Sequence, residues 1–175
     1  VITMNDPSTA PLRQKKDSSI GVAARLMRDG RADAIVTPGH TGAAVAATVV
    51  LNRMVPGIDR PGIAGPFPSV SGSFIVVDVG ANVDCRPLHL AQYGILGEAY
   101  ARLVMGIARP RVGILSVGEE EGKGNILTQE TIPLFKQSKL NFIGNVEAKD
   151  IPLGLADVVV TDGFTGNVYI KGAQG

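Results

Sequence analysis

Residues 113–125 read GILSVGEEEGKGN, an apolar run that breaks into glycines, three acids and one lysine. The run from Val112 to Val117 has the length and β-branched content of a central strand in a parallel sheet. The glycine-containing segment after it leads to a helix that can begin near Ile126. Because open α/β sheets bind ligands at this edge, we predict a buried strand that ends in an anion site.

The same pattern occurs three more times along the chain. Residues 34–42 read AIVTPGHTG, residues 74–84 read FIVVDVGANVD, and residues 157–167 read DVVVTDGFTGN. Glycines let backbone N–H groups approach a ligand closely, and each helix N-terminus adds about half a positive charge. We therefore expect four strand ends to face one crevice that suits phosphate. None of these turns carries a nucleotide-binding fingerprint.

Composition limits the function classes. The 175 residues are 45% hydrophobic and 19% charged, which favours one α/β domain covering residues 1–175. A net charge of +1 supplies no broad field for nucleic acid or an anionic membrane. The sequence shows neither an apolar run of about 20 residues nor a signal segment, which predicts a cytoplasmic location. The single cysteine, Cys85, excludes an internal disulfide.

The periodicity predicts alternating strands and helices. Strands are expected at residues 1–4, 34–37, 74–77, 112–117, 141–146 and 157–160, and helices at about 18–29, 41–52, 87–106 and 127–137. Prolines and glycines make residues 55–73 a connecting region with at most one short strand. A strand without a preceding unit and a last strand without its full helix indicate truncation at both ends.

Taken together, seven ordered motifs closely resemble the bacterial phosphate acyltransferases (PlsX). They are KKDSS at 15–19, TGA at 41–43, PGIDRP at 56–61, DVGANVD at 78–84, GEEEGKGN at 118–125, NFIGNVE at 141–147 and DGFTGN at 162–167. The resemblance implies transfer of a long-chain acyl group from acyl carrier protein to inorganic phosphate, in phospholipid synthesis. It also implies a homodimer, in some members peripherally bound to the membrane, and a chain about twice this length.

The fold implied by this resemblance is a three-layer α/β/α Rossmann-like sandwich with a mostly parallel sheet. It is similar to that of the phosphotransacetylases and the isocitrate/isopropylmalate dehydrogenases. The family's pattern places the catalytic residues at Lys123 and Asn167. Phosphate and substrate contacts are expected from the turns, at Gly39, His40, Thr41, Gly42, Asp78, Asn82, Asp84, Gly122, Gly124, Asn125, Asp162, Gly163, Thr165 and Gly166. Arg13, Lys15 and Lys16 offer a basic contact for an acidic carrier protein.

One position departs from the family's pattern. Where the family usually has Ala-Gly-Asn-Thr-Gly, this chain has Pro-Gly-His-Thr-Gly at residues 38–42, so that His40 replaces an amide. An imidazole can still donate one hydrogen bond, but the geometry and pH dependence of the turn can change.

Several residues also have a structural interpretation. Asp78, Asn82 and Asp84 can be Asx-turn residues, and Asn167 can be a helix cap. The acids at 119–121 are typical of a solvated turn rather than a metal site, and Cys85 of a core thiol. No metal or cofactor is expected. The competing functions are a phosphotransacetylase-like relative with another chemistry, and an incomplete chain that only folds or dimerises.

Overall fold

The computed structural model describes residues 1–174. The chain falls into two compact units, Val1–Pro61 and Gly62–Gly175. The single domain expected from the sequence stays a prediction, and each unit is described by itself.

The first unit contains three helices, α1 (Ala10–Arg13), α2 (Ser19–Arg28) and α3 (Thr41–Asn52). The predicted helices at 18–29 and 41–52 are thus confirmed. Helix α2 begins after Ser18, whose hydroxyl accepts a hydrogen bond from the Gly21 N–H at 3.3 Å. A small core of Ile20, Ala24, Ala43 and Ala47 joins α2 to α3.

The strands predicted in this unit are wrong. Residues 1–4 and 34–37 contain no strand, and Val36 is 97% exposed. An apolar, β-branched run indicates that a segment can fit into a sheet, but a strand also needs a neighbouring strand to which its backbone is hydrogen-bonded. In residues 1–61 neither segment pairs with one.

The second unit is built on a five-stranded sheet. Its strands are β1 (Ala64–Ser69), β2 (Gly72–Val77), β3 (Arg111–Ser116), β4 (Asn141–Glu147) and β5 (Val158–Val160), in the order β1-β2-β5-β3-β4. β1 pairs with β2 in the antiparallel sense, and the other pairs are parallel. β5, which is apolar throughout, lies at the centre and is fully buried.

Helices cover both faces of this sheet. α4 (Pro87–Leu103) and α5 (Ile126–Gln137) pack on one face, where Leu90, Tyr93 and Phe135 meet strand residues such as Val77 and Ile114. α6 (Gly163–Ala173) lies on the other face, where Ile170 meets Phe74 and Val159. The predicted three-layer α/β/α sandwich with a mostly parallel sheet is confirmed.

The connections create a switch point between two neighbouring strands. The helix that follows β3 is α5, on one face, whereas the helix that follows β5 is α6, on the other. β3 and β5 are adjacent and parallel. Where adjacent strands send their helices to opposite faces, a crevice opens at the carboxyl ends of the strands.

None of the helices within residues 1–174 combines the length and the apolar character that crossing a bilayer demands.

Candidate functional site

The crevice between β3 and β5 holds a cavity of about 370 Å³. Its apolar wall consists of Leu90, Ile114, Leu115, Val117, Val168 and Tyr169. Its polar groups lie at the end of β3, in the turns after β3 and β5, and in the first turns of α5 and α6, at Ser116, Asn125, Thr128, Thr161, Asp162 and Thr165. A cavity of this size with apolar walls and a few polar groups is typical of a small-molecule site.

Two helices begin at this cavity. Asn125 caps α5, with its Oδ1 accepting from the Thr128 N–H at 2.9 Å, and Asp162 caps α6, with its Oδ1 accepting from the Thr165 N–H at 2.9 Å. Both caps line the cavity. The α5 end carries a neutral cap, whereas the Asp162 carboxylate already complements the positive end of α6. The α5 end is therefore the better place for an anion.

A second cavity of about 360 Å³ connects three turns. It is lined by Val83, Asp84 and Cys85 after β2, by Asn125 and Leu127 after β3, and by Asp162, Phe164 and Thr165 after β5. Asn125, Asp162 and Thr165 also line the first cavity. Three of the four turns predicted from the sequence are thus brought together.

The turn after β2, residues 78–84, is organised around a buried carboxylate. Asp78 is 0% exposed. Its Oδ1 accepts from the N–H groups of Ile63, Gly80 and Ala81 at 2.9–3.1 Å. Its Oδ2 accepts from the N–H and the side-chain amide of Asn82 at 2.8 and 3.2 Å. These five bonds occupy the carboxylate, which supports the Asx-turn interpretation of Asp78.

The start of α6 packs closely against the Asp78 turn. A Cβ on Gly163 would lie 2.6 Å from the Asn82 carbonyl oxygen, and one on Gly166 would overlap the Asp78 carbonyl oxygen. The Asn167 amide donates to the Val79 carbonyl at 3.0 Å, which leaves its second N–H for another acceptor. Gly163 and Gly166 allow the backbone of α6 to pack against the backbone of the Asp78 turn, which gives both glycines a structural role. A direct phosphate contact by either glycine stays a prediction.

Lys123 lies in the loop after β3, residues 117–125, which we call the Lys123 loop. Its side chain is exposed and has no ion-pair partner within residues 1–174. Gly124 beside it has a φ of +103°, and a Cβ there would lie 2.8 Å from the Thr128 side chain. Glycine is therefore required at this position. Gly122 meets no such restriction.

Lys123 and Asn167 are not among the lining residues of either cavity. Lys123 directly precedes the lining residue Gly124, and Asn167 directly precedes the lining residue Val168. The two predicted catalytic residues thus come from the two helix starts that flank the crevice.

Two of the three acids of the Lys123 loop, Glu119 and Glu121, lie in different environments. Glu121 pairs with Lys136 of α5. Carboxylate oxygens of Glu119, Glu147 and Asp150 lie within 4.8 Å of one another, and Lys149 places its ammonium 3.2 Å from Glu147. The hydrogen bond to Glu147 raises the pKa of Lys149. The positive charge beside this carboxylate cluster is therefore supplied by Lys149 of the chain itself.

Sequence reasoning missed two polar groups under the site. The Tyr93 hydroxyl, fully buried on α4, accepts from the Asn82 amide at 2.8 Å, although the helical spacing assigned Tyr93 only to an apolar face. Asn145 on β4 is 6% exposed. The signal that marks Asn145 is a polar residue inside an otherwise apolar strand.

Cys85 borders the second cavity as a half-buried thiol. Burial raises its pKa, and its Sγ donates to the Asn82 carbonyl at 3.4 Å. A thiol that is kept protonated is a poor nucleophile, which fits the core-thiol interpretation.

The fourth predicted turn belongs to the first unit, where His40 caps α3. Its Nδ1 accepts from the Ala43 N–H at 3.2 Å, and its Nε2 lies 3.1 Å from the Asp6 carbonyl oxygen. Since a carbonyl only accepts, both bonds are made when Nε2 carries the proton. The imidazole thus fills the capping role that an Asn side chain also performs.

The remaining residues of this turn have small side chains or none. Thr41 is the first residue of α3, and the Gly39 N–H donates to the Thr37 hydroxyl at 3.2 Å. A Cβ on Gly42 would lie 2.5 Å from the Ser8 hydroxyl. Binding of substrate by residues 39–42 stays a prediction.

The basic segment of the first unit is partly committed to internal contacts. Lys15 pairs with Asp6 at 2.7 Å. The hydrogen bonds from Lys15 and Thr3 lower the pKa of Asp6 to about 2. Arg13 and Lys16 are exposed. A carrier-protein contact at Arg13, Lys15 and Lys16 stays a prediction.

Comparison with known proteins places the chain in a family. Residues 1–175 match the family described as fatty acid synthesis protein. The chain belongs to this family. Phosphate acyltransferases from Geotalea uraniireducens and Geobacter sp. strain M21 are each 51% identical over 175 residues, or 100% of the chain, and the one from Exiguobacterium sp. is 48% identical over 176 residues. The predicted resemblance is confirmed.

These matches cover 51%, 50% and 54% of the three relatives, so the chain spans about half the length of the curated relatives it matches. Among solved structures, EutD phosphotransacetylase from Staphylococcus aureus is similar with a TM-score of 0.63 and 25% identity, covering 86% of this chain and 53% of that one. A branched-chain phosphotransacylase from Enterococcus faecalis has a TM-score of 0.64 and 17% identity, over 89% and 63% of the chains, and supports the fold alone.

Proposed function

We propose that this chain is the phosphate-binding part of an acyltransferase that moves an acyl group from a thioester to inorganic phosphate. The observation that carries this proposal is the crevice between β3 and β5. It joins an apolar wall, which suits an acyl chain, to the N-terminus of α5, which suits an anion. The relatives named phosphate acyltransferase support the same reaction class.

In this proposal, phosphate sits at the N-terminus of α5 beside the Lys123 loop. Its oxygen attacks the thioester carbonyl carbon, so that a C–O bond forms, the C–S bond breaks and the thiol leaves with a proton. Phosphate is already a nucleophile and a thioester is already activated. The protein therefore has to supply mainly position and charge stabilisation.

Lys123 and Asn167 have the chemistry that this step needs. The exposed ammonium of Lys123 is free of ion pairs within residues 1–174, so it can hold phosphate or the developing oxyanion. The second N–H of the Asn167 amide can donate to the carbonyl oxygen, because the first is directed to Val79. Preorganised donors of this kind each contribute about 10²–10³-fold to the rate.

The finer assignment follows the family resemblance. The donor is a long-chain acyl group on acyl carrier protein, the product is an acyl phosphate for phospholipid synthesis, and the enzyme works in the cytoplasm as a homodimer, with peripheral membrane association possible. The exposed Arg13 and Lys16 support a contact with an acidic carrier.

The test is formation of acyl phosphate from palmitoyl-acyl carrier protein and inorganic phosphate. Lys123→Ala is expected to lower kcat by about 10²–10³-fold. Lys139→Ala is the matched control, because Lys139 is equally exposed but precedes β4, at the opposite edge of the sheet. Equal turnover in the two variants would contradict the assigned role of Lys123.

A second reaction is favoured by the likeness to the S. aureus phosphotransacetylase. A short acyl group on coenzyme A would then replace the long chain on a carrier protein. Parallel assays with acetyl-coenzyme A and palmitoyl-acyl carrier protein separate the two reactions. A folded protein inactive with both would favour the third alternative, an incomplete chain.

A further inference from the structure

The Lys123 loop is held from below by a buried amide. Asn145 lies on β4 and is 6% exposed. Its Nδ2 donates to the carbonyl oxygens of Glu120 at 2.8 Å and Lys123 at 3.3 Å. A buried amide is costly unless its hydrogens are bonded, and here the acceptors belong to the backbone of the loop.

A second amide holds the same loop from the side of α5. The Gln129 Nε2 donates to the carbonyl oxygens of Gly122 at 3.0 Å and Gly124 at 3.2 Å. Four carbonyls of the loop are thus directed to two side-chain amides. At Lys123 the bonded group is the residue's own carbonyl, so the contact fixes the point from which the long, flexible side chain starts.

The position of the Lys123 ammonium depends on how these two amides hold the backbone of the loop. An ammonium on four rotatable carbons must be placed near the reacting atoms, and a displacement of about 1 Å costs about 10²-fold in rate. Gly124 permits this loop conformation because it has a φ of +103°, and a Cβ there would lie 2.8 Å from the Thr128 side chain and 3.0 Å from the Ser116 hydroxyl. Ammonium placement is therefore set by the backbone of the loop, and the backbone is set by the two amides.

We propose that Asn145 and Gln129 are positioning residues that hold the Lys123 loop in its phosphate-binding conformation. This inference rests on the proposed function of Lys123. Asn145 is the stronger of the two, because its side chain is buried, whereas Gln129 is exposed, where water competes for its hydrogen bonds.

The test compares two Asn→Asp variants of the same strand. In Asn145→Asp the side chain keeps its shape but has at most one O–H in place of two N–H groups, so at least one of the hydrogen bonds to Glu120 and Lys123 is lost. Asn141→Asp is the matched control, since Asn141 is at the other end of β4 and its amide contacts the Arg109 carbonyl at 3.4 Å. The expected result is a loss of about tenfold or more in kcat/KM for phosphate in Asn145→Asp, with Asn141→Asp near wild type.

A double-mutant cycle that combines Asn145→Asp with Lys123→Ala distinguishes a positioning role from a general loss of structure. If Asn145 acts through Lys123, adding Asn145→Asp to Lys123→Ala causes little further loss. Losses that multiply would overturn the inference. Hydrogen exchange of the amides at 118–125 should become faster in Asn145→Asp and stay unchanged in Asn141→Asp.

Gln129→Glu is the second variant and guards against failure of Asn145→Asp to fold. It lies on the surface, removes both donors and is expected to cause a smaller loss in the same direction. Normal phosphate use in both variants, with Lys123→Ala impaired, overturns this inference alone. If Lys123→Ala is itself without effect, the proposed function fails, and the positioning role fails with it.

Discussion

The Asp78 turn and the Lys123 loop follow parallel strands of one sheet and share one sequence pattern, yet their hydrogen bonds run in opposite directions. In the Asp78 turn, backbone N–H groups point inward and bind a buried carboxylate. In the Lys123 loop, the carbonyls of Glu120 and Lys123 accept from the buried Asn145 amide, and those of Gly122 and Gly124 accept from the exposed Gln129 amide. One turn thus directs several N–H donors to one side chain, and the other directs several carbonyl acceptors to side-chain amides.

This difference indicates which turn is suited to an anion. Phosphate needs N–H donors and positive charge, and the Asp78 turn has committed the N–H groups of residues 80–82 to Asp78. The Lys123 loop instead satisfies its carbonyls and carries a lysine beside a helix N-terminus. A glycine-containing turn after a strand is therefore poorly suited to an anion where its N–H groups are already bound to a buried carboxylate.

The largest effect is expected from removing the inward acceptor of the Asp78 turn. Asp78→Ala leaves several buried N–H groups without a partner, and each costs about 1–3 kcal/mol. The free energy of unfolding, measured with urea, should fall by at least about 3 kcal/mol. Asp84→Ala, an exposed carboxylate of the same turn, serves as the control. Equal costs in the two variants would show that the inward carboxylate does not hold the turn.

A smaller loss is expected where α6 packs against this turn. Gly166→Ala forces a Cβ onto the Asp78 carbonyl oxygen, and overpacking of this kind costs about 1–3 kcal/mol, occasionally more. Gly172→Ala in the same helix meets nothing within 4 Å. It should stabilise the protein by about 0.4–1 kcal/mol, because alanine lowers the conformational entropy of the unfolded chain. Thermal unfolding of the Gly166→Ala and Gly172→Ala variants measures the two opposite changes in stability. A destabilised Gly172→Ala variant would contradict the packing explanation.

The smallest effect concerns the pH dependence of Cys85, which lies beside the Asp78 turn. Burial raises the pKa of its thiol above the usual 9.0, so the reactive thiolate develops at higher pH in the folded chain than in the unfolded one. Alkylation by iodoacetamide should therefore be slower at pH 8 in the native protein than in urea, with the difference shrinking as the pH rises past 9. Asp78→Ala should bring the native rate closer to the rate in urea. Equal rates at pH 8 would contradict the raised pKa.

Local signals predicted most of the second unit from sequence. Caps and periodicity placed α5 within a residue, and the run Asp157 to Val160 was correctly interpreted as a buried strand. The helix expected over 87–106 ends earlier, at Leu103, and the connecting region contains the one short strand that was expected. These features depend on neighbours along the chain, which a sequence displays directly.

The failures depend on partners that are distant in sequence. Val36 belongs to a β-branched run, but no strand pairs with it within residues 1–61. Asp78 and Lys123 both look like ligands of a crevice, and only the contacts with Ile63 and Asn145 reveal which group faces inward. The direction of a turn's hydrogen bonds is set by these distant residues, so the motif alone does not contain it.

The first strand of the sheet has a consequence for assembly. Pro66 and Pro68 stand at alternate positions of β1, so both lack an N–H on the same side, the side turned away from β2. A strand from another molecule would find no continuous row of donors there. Addition of a further strand is therefore disfavoured beside β1, and β4 is the strand at the opposite edge of this sheet.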